Sequence, residues 1–349
     1  MNQARKRIIE EDLQRMSEAE LPWEMLQGKT VLVTGATGML ALYVTWLLLS
    51  IREHRNIDVN IVALCRNKIK AERYFSDYMG KGYFKLLLQD VCEPIDDEGS
   101  IDYIFHLAGN ASPHFINTDP VGIMKCNLQG TISVLELARK KGTEKVVFAS
   151  TREVYGKNET STLMDEKDFG TIDPLDDRSC YPESKRAAET LLRSYYTQYG
   201  INYNSLRIAH SYGPTMNLEN DGRVMADLMA DVVAGRDIIL KSKGDAVRAF
   251  LYITDAVIGM FTVLFNGKEA EAYNLANETE PISIRALAEM LVSLNPSAKV
   301  VFQIPDGKMK GYCAYRRTAL DTNAIEGLGW YPGVSLKEGL QRTFKAARY

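Results

Sequence analysis

The stretch Val31-Leu32-Val33-Thr34-Gly35-Ala36-Thr37-Gly38-Met39-Leu40-Ala41 decides the fold of this chain. An apolar strand runs into a glycine turn, and an amphipathic helix follows. Gly35 permits a tight turn, and Gly38 lets the backbone approach a pyrophosphate at the helix N-terminus, where free N–H groups favour negative charge. Because strand and helix supply the context that the motif requires, the stretch predicts a dinucleotide-binding site. The predicted cofactor contacts here are Gly35, Thr37, Gly38 and Met39.

The chain continues this alternation of strands and helices. Apolar runs are separated by helix-like segments such as Met39–His54 and Ile123–Lys141. Such spacing predicts an α/β fold of the Rossmann type, a doubly wound parallel sheet with helices on both faces. The predicted strands are Thr30–Val33, Val59–Leu64, Tyr83–Leu88, Ile101–Leu107, Lys145–Ala149 and Tyr203–Ile208.

The pattern also divides the chain into regions. Residues 1–27 are expected to form an accessory N-terminal helix, because apolar positions recur there at helical spacing among charges. Residues 28–208 are predicted to form the dinucleotide-binding domain, and a segment of about 234–268 is expected to return to it. The less regular residues 209–349 are expected to form mostly a smaller substrate-binding α/β lid.

Composition excludes several classes of protein. The net charge of -3 over 349 residues argues against a nucleic-acid binder, which needs a basic face. No apolar run reaches the ~20 residues that span a bilayer, and the charged start lacks the apolar core of a signal peptide. The five cysteines include no Cys-x-x-Cys pair and the histidines are dispersed, so neither disulfides nor a metal site is expected. His106 ends a predicted strand and is expected to be a buried structural residue. A cytoplasmic location fits these features.

The end of the second predicted strand normally selects between the two nicotinamide cofactors. An acidic residue there binds the adenosine ribose hydroxyls and repels a 2′-phosphate. This chain reads Cys65-Arg66-Asn67 instead, and a guanidinium without a carboxylate favours NADP. Asp90-Val91 closes the third strand, where Asp90 is expected either to hydrogen-bond the adenine amino group or to cap a turn.

A tyrosine and a lysine four residues apart open the segment Tyr181-Pro182-Glu183-Ser184-Lys185. Residues at this spacing project from one face of a helix. An ammonium group close to a phenol stabilises phenolate and lowers the tyrosine pKa from its usual value of about 10. The pair follows Ser150-Thr151 by one loop, in a chain that already has the nucleotide turn. Tyr181 and Lys185 are therefore candidate catalytic residues.

Together these motifs resemble the extended short-chain dehydrogenases/reductases, the NAD-dependent epimerases and dehydratases of nucleotide-sugars. The resemblance covers about residues 29–345 and is strongest to the UDP-glucuronate decarboxylases, or UDP-xylose synthases. The stretches that carry it are His106-Leu107-Ala108, Ala111-Ser112-Pro113, Ser150 through Gly156, Cys180 through Arg186, Arg207-Ile208, Tyr212-Gly213-Pro214, Asn220 through Val224, Arg248-Ala249-Phe250, Tyr252 through Asp255 and Leu328-Gly329-Trp330.

The resemblance implies a role for each catalytic candidate. Tyr181 takes the proton of the sugar 4-hydroxyl while the cofactor takes hydride from C4, and Lys185 tunes Tyr181 and holds the nicotinamide ribose. Thr151 hydrogen-bonds the 4-oxygen, and Glu153 lies near C5. The implied binding contacts are Leu107, Ala108 and Val91 for the cofactor, and Ser112, Arg223, Arg248 and Arg316 or Arg317 for the substrate. Arginine suits phosphate and carboxylate because its planar fork matches their oxygens.

Arg152 departs from this pattern. The decarboxylases typically read Thr-Ser-Glu here and the 4,6-dehydratases Thr-Asp-Glu, whereas this chain reads Thr151-Arg152-Glu153. A dehydratase needs an acid at the central position to protonate the departing C6 hydroxyl, and arginine cannot serve as that acid. If the alternation of the strand persists, Arg152 points away from the sugar. If the loop twists, its guanidinium reaches C6 and pairs with a uronate carboxylate.

The leading hypothesis is transient C4 oxidation of a nucleotide-sugar. The specific reaction that we favour is the decarboxylation of UDP-glucuronate. A 4-epimerase uses the same tyrosine, lysine and threonine but needs no base at C5, so Glu153 argues against it. A 4,6-dehydratase is the other enzymatic alternative. A cofactor-sensing binding protein has no need of Tyr181, Lys185 and Thr151. The resemblance implies NAD and Arg66 points to NADP, so NAD and NADP both stay open. The resemblance also implies a homodimer that forms through the helices following Pro120 and Tyr181.

Overall fold

The computed structural model of the protein describes residues 3–96, 99–157, 163–219, 221–304 and 319–348. The strands in these ranges are β1 Thr30–Thr34, β2 Asn60–Cys65, β3 Phe84–Leu88, β4 Tyr103–His106, β5 Lys145–Thr151, β6 Leu163–Met164, β7 Tyr203–Ile208, β8 Ser211–Tyr212, β9 Ile238–Leu240, β10 Val247–Arg248, β11 Leu251–Tyr252, β12 Glu271–Leu275, β13 Ile282–Ser283, β14 Val300–Phe302 and β15 Ala319–Leu320. The α-helices are α1 Gln3–Ser17, α2 Met39–His54, α3 Lys68–Phe75, α4 Pro113–Thr118, α5 Pro120–Lys141, α6 Cys180–Tyr199, α7 Val224–Val233, α8 Ile253–Asn266, α9 Ile284–Val292, α10 Asn323–Glu326 and α11 Leu336–Ala347.

Seven of the described strands form one parallel sheet in the order β12-β7-β5-β4-β1-β2-β3. Its side chains alternate between two cores: Val31 and Val33 pack into one, and Leu32 between them packs into the other. Helices cover both faces, with α2 and α8 contributing to the first core and α5 and α6 to the second. The predicted Rossmann-type fold is thereby confirmed.

The predicted elements agree closely with the observed ones where the signal is local. The helix after the glycine turn spans Met39–His54 as expected. The helix expected from Ile123 begins three residues earlier, at Pro120, because the Asp119 side chain accepts a hydrogen bond from the Gly122 amide (3.0 Å) and so caps the helix.

Residues beyond position 209 contribute to two parts of the molecule. Helix α8 packs on the sheet, and β12 is the strand beside β7. The part of the chain that returns to the sheet therefore extends past the predicted segment 234–268 and includes β12. Short strand pairs, β9 with β14 and β10 with β13, lie in the remainder. The division into a dinucleotide-binding domain and a lid stays a prediction.

The N-terminal segment forms helix α1, and a short 3₁₀ helix follows at Trp23–Leu26. The buried Asp12 carboxylate accepts hydrogen bonds from the hydroxyls of Tyr43 and Tyr252, both at 2.9 Å, and from the guanidinium of Arg342 at 2.8 Å. One carboxylate thus connects α1 to α2, β11 and α11. Within the described ranges, no helix is both long and apolar enough to cross a membrane.

Candidate active site

The glycine turn after β1 contacts the end of β4. Gly35 has a φ of +69°, and a Cβ built there would lie 2.9 Å from the Ala108 Cα and 3.3 Å from the Leu107 carbonyl carbon. Only glycine fits both the conformation and the space. Gly38 precedes α2 as its N-cap residue, and its amide donates to the Gly35 carbonyl (2.7 Å), so the N-terminus of α2 opens at the carboxyl edge of the sheet. Thr37 and Met39 flank it, and this arrangement fits a pyrophosphate.

The Thr34 hydroxyl holds the predicted cofactor contacts at the end of β4. It accepts hydrogen bonds from the amides of Leu107 and Ala108, both at 3.1 Å. It also lies 2.9 Å from His106 Nδ1 and donates there, which leaves the proton of this imidazole on Nε2.

The other side of the His106 ring confirms that tautomer. Nε2 lies 3.1 Å from the Thr131 hydroxyl, which itself donates to the Asn127 carbonyl (2.6 Å) and therefore accepts from the ring. Burial, with a smaller contribution from Lys185, lowers the pKa of His106 to about 3. His106 is thus a neutral, buried structural residue, as the sequence predicts.

Arg66 and Asp90, which the sequence places at two different strand ends, lie beside each other. Arg66 Nη1 is 3.3 Å from Asp90 Oδ2, and the other Asp90 oxygen accepts the Cys92 amide (2.9 Å). Burial raises the pKa of Asp90, but hydrogen bonds from Cys92 and the Arg66 charge outweigh it and leave the pKa below its usual value. The carboxylate therefore serves as a turn cap and as the partner of Arg66. Val91 is buried and packs against Gly130. A Cβ built on Gly130 would lie 2.8 Å from the Cγ1 of Val91.

The Tyr181–Lys185 pair lies on the first turns of α6, and both side chains are buried. Burial raises the pKa of Tyr181, and the nearby Glu153 carboxylate raises it further. The Thr151 hydroxyl, through a hydrogen bond, and the Arg223 charge lower it. The phenol is therefore protonated in the cofactor-free protein, with Thr151 and Glu153 beside it as the motif predicts.

Lys185 occupies an environment that disfavours its charge. Its Nζ donates to the Ala149 carbonyl (2.8 Å) and lies 4.5 Å from the centre of the Phe148 ring. Burial lowers the pKa of Lys185 to about 8. Further hydrogen-bond acceptors near this ammonium group would stabilise its charge.

Two polar side chains, Lys185 and Asn127, approach Gly109 closely. A Cβ built on Gly109 would lie 3.3 Å from Lys185 Nζ and 3.1 Å from Asn127 Oδ1. Among the described residues this Oδ1 is buried and has no hydrogen-bond partner, while Asn127 Nδ2 donates to the Ser184 hydroxyl (2.9 Å). This donor and this acceptor are the kinds of group that hydrogen-bond the two hydroxyls of a ribose, which the resemblance assigns to Lys185. Asn127 was not predicted as a site residue, because nothing local in the sequence marks it.

A second ion pair supports the strand that carries Thr151. Glu189 accepts a hydrogen bond from the Ser150 hydroxyl (2.5 Å) and two from the Arg207 guanidinium (2.8 and 3.2 Å). Glu189 follows Lys185 by four residues on α6, so helical spacing was the signal that could have found it. This network holds the end of β5 against α6.

The predicted substrate residues Ser112 and Arg223 meet at Asp221. The Ser112 hydroxyl donates to the Asp221 carbonyl (2.6 Å), and Arg223 makes a two-pronged contact with the Asp221 carboxylate (2.5 and 2.9 Å). Because Arg223 also lowers the pKa of Tyr181, it lies on the catalytic side of this loop.

Arg152 and Arg248 line one small recess together with His210 and Glu278. Arg152 Nη1 lies 3.0 Å from His210 Nε2, and Arg248 Nη1 donates to the Val247 carbonyl (2.8 Å). The two predicted roles of Arg152, structural residue and substrate ligand, both stay open. Arg316 and Arg317 lie outside the described residues.

A glycine turn at the carboxyl edge of a parallel sheet, next to a buried tyrosine and lysine on one helix face, defines a dinucleotide-dependent enzyme of the short-chain dehydrogenase/reductase class. Residues 31–276 match the model of the NAD dependent epimerase/dehydratase family. The chain belongs to this family, and the predicted NAD(P)-dependent enzyme is confirmed.

Curated relatives and solved structures agree with this assignment. The chain is 36% identical over 281 residues to UDP-glucuronic acid decarboxylase 5 of Arabidopsis thaliana, covering 78% of this chain and 79% of the relative. It is 31% identical to UDP-glucuronic acid decarboxylase 1 of Xenopus tropicalis, covering 90% of this chain and 71% of the relative. The fold is similar to that of UDP-glucose 4-epimerase of Thermotoga maritima, with a TM-score of 0.77, 24% identity and coverage of 91% and 98%.

Proposed function

We propose that the protein converts UDP-glucuronate to UDP-xylose with bound NAD. The observation that carries this proposal is the buried Tyr181 phenol, which has the Thr151 hydroxyl and the Glu153 carboxylate beside it. UDP-glucuronic acid decarboxylase 5 of Arabidopsis thaliana, which is 36% identical over 281 residues, supports the proposal.

The chemistry is redox-neutral overall. NAD, when bound, supplies the acceptor for the hydride that leaves C4 and the donor that returns it. Removal of that hydride and of the hydroxyl proton gives a 4-keto sugar, in which the C6 carboxylate belongs to a β-keto acid. The C5–C6 bond then breaks, its electron pair moves into the enolate of the ketone, and CO₂ leaves. A proton returns to C5 and the 4-ketone is reduced to the pentose.

The protein's own residues move the protons and hold the sugar. Tyr181 accepts the 4-hydroxyl proton and later gives it back, and Thr151 holds the 4-oxygen through the hydroxyl that is already hydrogen-bonded to Tyr181. Lys185 and Asn127 would hold the nicotinamide ribose, and Lys185 would keep its charge near the phenol. Glu153 lies beside the phenol and serves the proton exchange at C5.

Two features separate this reaction from its alternatives. A 4,6-dehydratase needs an acid at position 152, and Arg152 is not one. A 4-epimerase is the second candidate, because the UDP-glucuronic acid 4-epimerase of Bacillus cereus has a similar fold, with a TM-score of 0.74 at 22% identity. A 4-epimerase turns the keto-sugar over in the site and needs no acid–base group at C5. Glu153 provides such a group in this chain.

A panel of UDP-, dTDP-, CDP- and GDP-sugars incubated with the NAD-loaded protein tests the function. Mass spectrometry distinguishes loss of CO₂ from loss of water and from an unchanged mass. We expect CO₂ loss from UDP-glucuronate alone. An unchanged mass with a new retention time indicates epimerisation and contradicts the proposal.

We infer that NAD, rather than NADP, is the cofactor. The Arg66 guanidinium, which favoured NADP in the sequence, already pairs with the Asp90 carboxylate at 3.3 Å, and that carboxylate repels a 2′-phosphate. Denaturing the purified protein and identifying the released nucleotide tests this. Release of NADP would contradict the inference.

A homodimer through α5 and α6 completes the proposal. These helices pack against each other, and α5 carries Val121 and Met124, which are 63% and 39% exposed. A second copy would cover these apolar side chains. Light scattering at micromolar concentration tests the dimer, and Val121→Asp is expected to shift it towards monomer. A monomeric parent protein would refute it.

A further inference from the structure

Arg186 joins the helix of the phenol to the loop that carries Glu153. It lies on α6, the helix that also carries Tyr181. Its Nε donates to the Val154 carbonyl at 2.6 Å, and its Nη2 donates to the Gly170 carbonyl at 2.7 Å. Val154 directly follows Glu153 in the chain. One guanidinium therefore fixes the Glu153 backbone relative to the helix of the phenol, through hydrogen bonds that its charge strengthens.

The short 3₁₀ helix Arg152–Tyr155 is held at its two ends as well. At its start the Thr151 hydroxyl accepts a hydrogen bond from the Glu153 amide at 3.2 Å. At its end the Tyr155 hydroxyl donates to the buried Asn274 side chain at 2.6 Å. Arg186 supplies the contact between these ends.

The second acceptor of Arg186 belongs to a segment that is tied to the same short helix. Thr171, which follows Gly170, exchanges two backbone hydrogen bonds with Lys157, at 2.8 and 2.9 Å. The two carbonyls that accept from Arg186 therefore lie in different but connected segments. The planar guanidinium fork suits such a pair of acceptors, whereas the ammonium group of lysine is a single point charge.

The Glu153 carboxylate faces the first residues of α6. Burial raises the pKa of both Tyr181 and Cys180, and the charge of Glu153 raises both further. The contacts of Arg186 thus fix a carboxylate that interacts with the phenol.

The return of a proton to C5 is the step that requires this position. Loss of CO₂ leaves C5 planar, with the electron pair in the enolate. Glu153 in its acid form gives its proton to C5, so that the C–H bond forms as the O–H bond breaks, and the carboxylate regains a proton from water. A planar carbon has two faces, and a single fixed donor reaches one of them.

We propose that Arg186 is a positioning residue, which holds Glu153 on one face of C5 while the proton returns. The proposal rests on the proposed function, because it assigns a residue to one step of that reaction.

The test follows single turnovers of the NAD-loaded protein with UDP-glucuronate. Absorbance reports NADH, which rises as C4 is oxidised and decays as the ketone is reduced. Turnover in D₂O introduces deuterium at C5 of the UDP-xylose, and proton NMR tells which of the two C5 hydrogens it replaces. The variants are Arg186→Met, Arg186→Lys, Glu153→Gln and the combination of Arg186→Met with Glu153→Gln. Arg193→Met is the matched control, because Arg193 is an exposed arginine on the same helix, 5.6 Å from the centre of the Tyr196 ring.

Arg186→Met is expected to keep the rise of NADH and the release of CO₂, because Tyr181 and Thr151 are unchanged. The decay of NADH is expected to slow roughly 10- to 100-fold, the loss that a misplacement of about 1 Å causes. Deuterium is expected at both C5 positions, whereas the parent and Arg193→Met label one. Arg186→Lys is expected to fall between parent and Arg186→Met. The double variant is expected to decay no more slowly than Glu153→Gln alone, because both changes act through one carboxyl group.

Several results overturn the proposal, and they separate it from the proposed function. A parent that releases no CO₂ refutes the function and the C5 role together. With an active parent, deuterium at both C5 positions means that no fixed donor exists. Arg186→Met that slows every step alike and labels one position assigns Arg186 to the fold alone, and an unchanged NADH decay removes it from the reaction. If Arg186→Met does not fold, Arg186→Lys with parental decay and labelling refutes the proposal. Additive losses in the double variant show that Arg186 does not act through Glu153.

Discussion

Gly35 and Gly28 form a matched pair that tests the architecture of the cofactor site. Both have left-handed backbones, with φ of +69° and +74°. A Cβ on Gly35 would lie 2.9 Å from the Ala108 Cα and 3.1 Å from its amide nitrogen, whereas a Cβ on Gly28 meets nothing within 4 Å. Alanine at either position therefore has the same conformational strain, and only Gly35→Ala adds a collision with backbone.

The expected magnitudes follow from these two contributions. Left-handed strain costs roughly 1–2 kcal/mol, which is the whole effect of Gly28→Ala. The collision at Gly35 adds roughly 1–3 kcal/mol, because backbone atoms cannot rotate away as a flexible side chain does. For 349 residues, at roughly 2.1 cal/mol/K each, 1 kcal/mol corresponds to about 1.4 °C. We expect Tm to fall by roughly 3–7 °C for Gly35→Ala and roughly 1–3 °C for Gly28→Ala.

Differential scanning calorimetry measures the stability difference, and NAD titration measures its consequence. We expect Gly35→Ala to weaken NAD binding more than about 10-fold, because the added methyl group pushes the glycine turn away from the Leu107–Ala108 backbone. Gly28→Ala is expected to bind NAD as the parent does. Equal Tm shifts together with equal NAD affinities would refute the reasoning, because they would mean that the Ala108 backbone yields without loss.

Three further substitutions and one control probe catalysis, stability and pH dependence. Tyr181→Phe is expected to lower kcat at least ~10²-fold with NAD still bound, and near-normal turnover would end its assignment as the acid–base group. Asp12→Ala is expected to lower the free energy of unfolding in urea by about 3–5 kcal/mol, because the Arg342 charge loses its buried partner. Glu10→Ala, at an exposed site, is expected to change it by less than about 0.5 kcal/mol, and equal urea midpoints would contradict this. Burial lowers the pKa of Lys185 from 10.5 to about 8, so the unfolded chain binds more protons between these values and the cofactor-free protein gains stability as pH rises through them. Lys185→Met is expected to remove this gain, and an unchanged pH slope would contradict the assignment.

Features that depend on neighbouring residues could be predicted from the sequence. The turn from β1 to α2 and the Tyr181–Lys185 spacing depend on residues a few positions apart, whose helical or extended periodicity sets which side chains share a face. For the same reason the bounds of α2 agree with the prediction to the residue. His106 was predicted as a buried residue because it ends an apolar strand, and it is buried.

Contacts between distant residues were decided by the packing of the sheet and its helices. Arg66 pairs with Asp90 because β2 and β3 are adjacent and in register, which turns an apparent NADP signal into an internal ion pair. Arg152 faces His210, 58 residues away, because β5 and β7 are neighbours in the sheet. Asp12 binds Arg342 across 330 residues. Periodicity tells which face of an element is apolar, but which elements become neighbours depends on the free energy of packing the whole chain, and these partners follow from that choice.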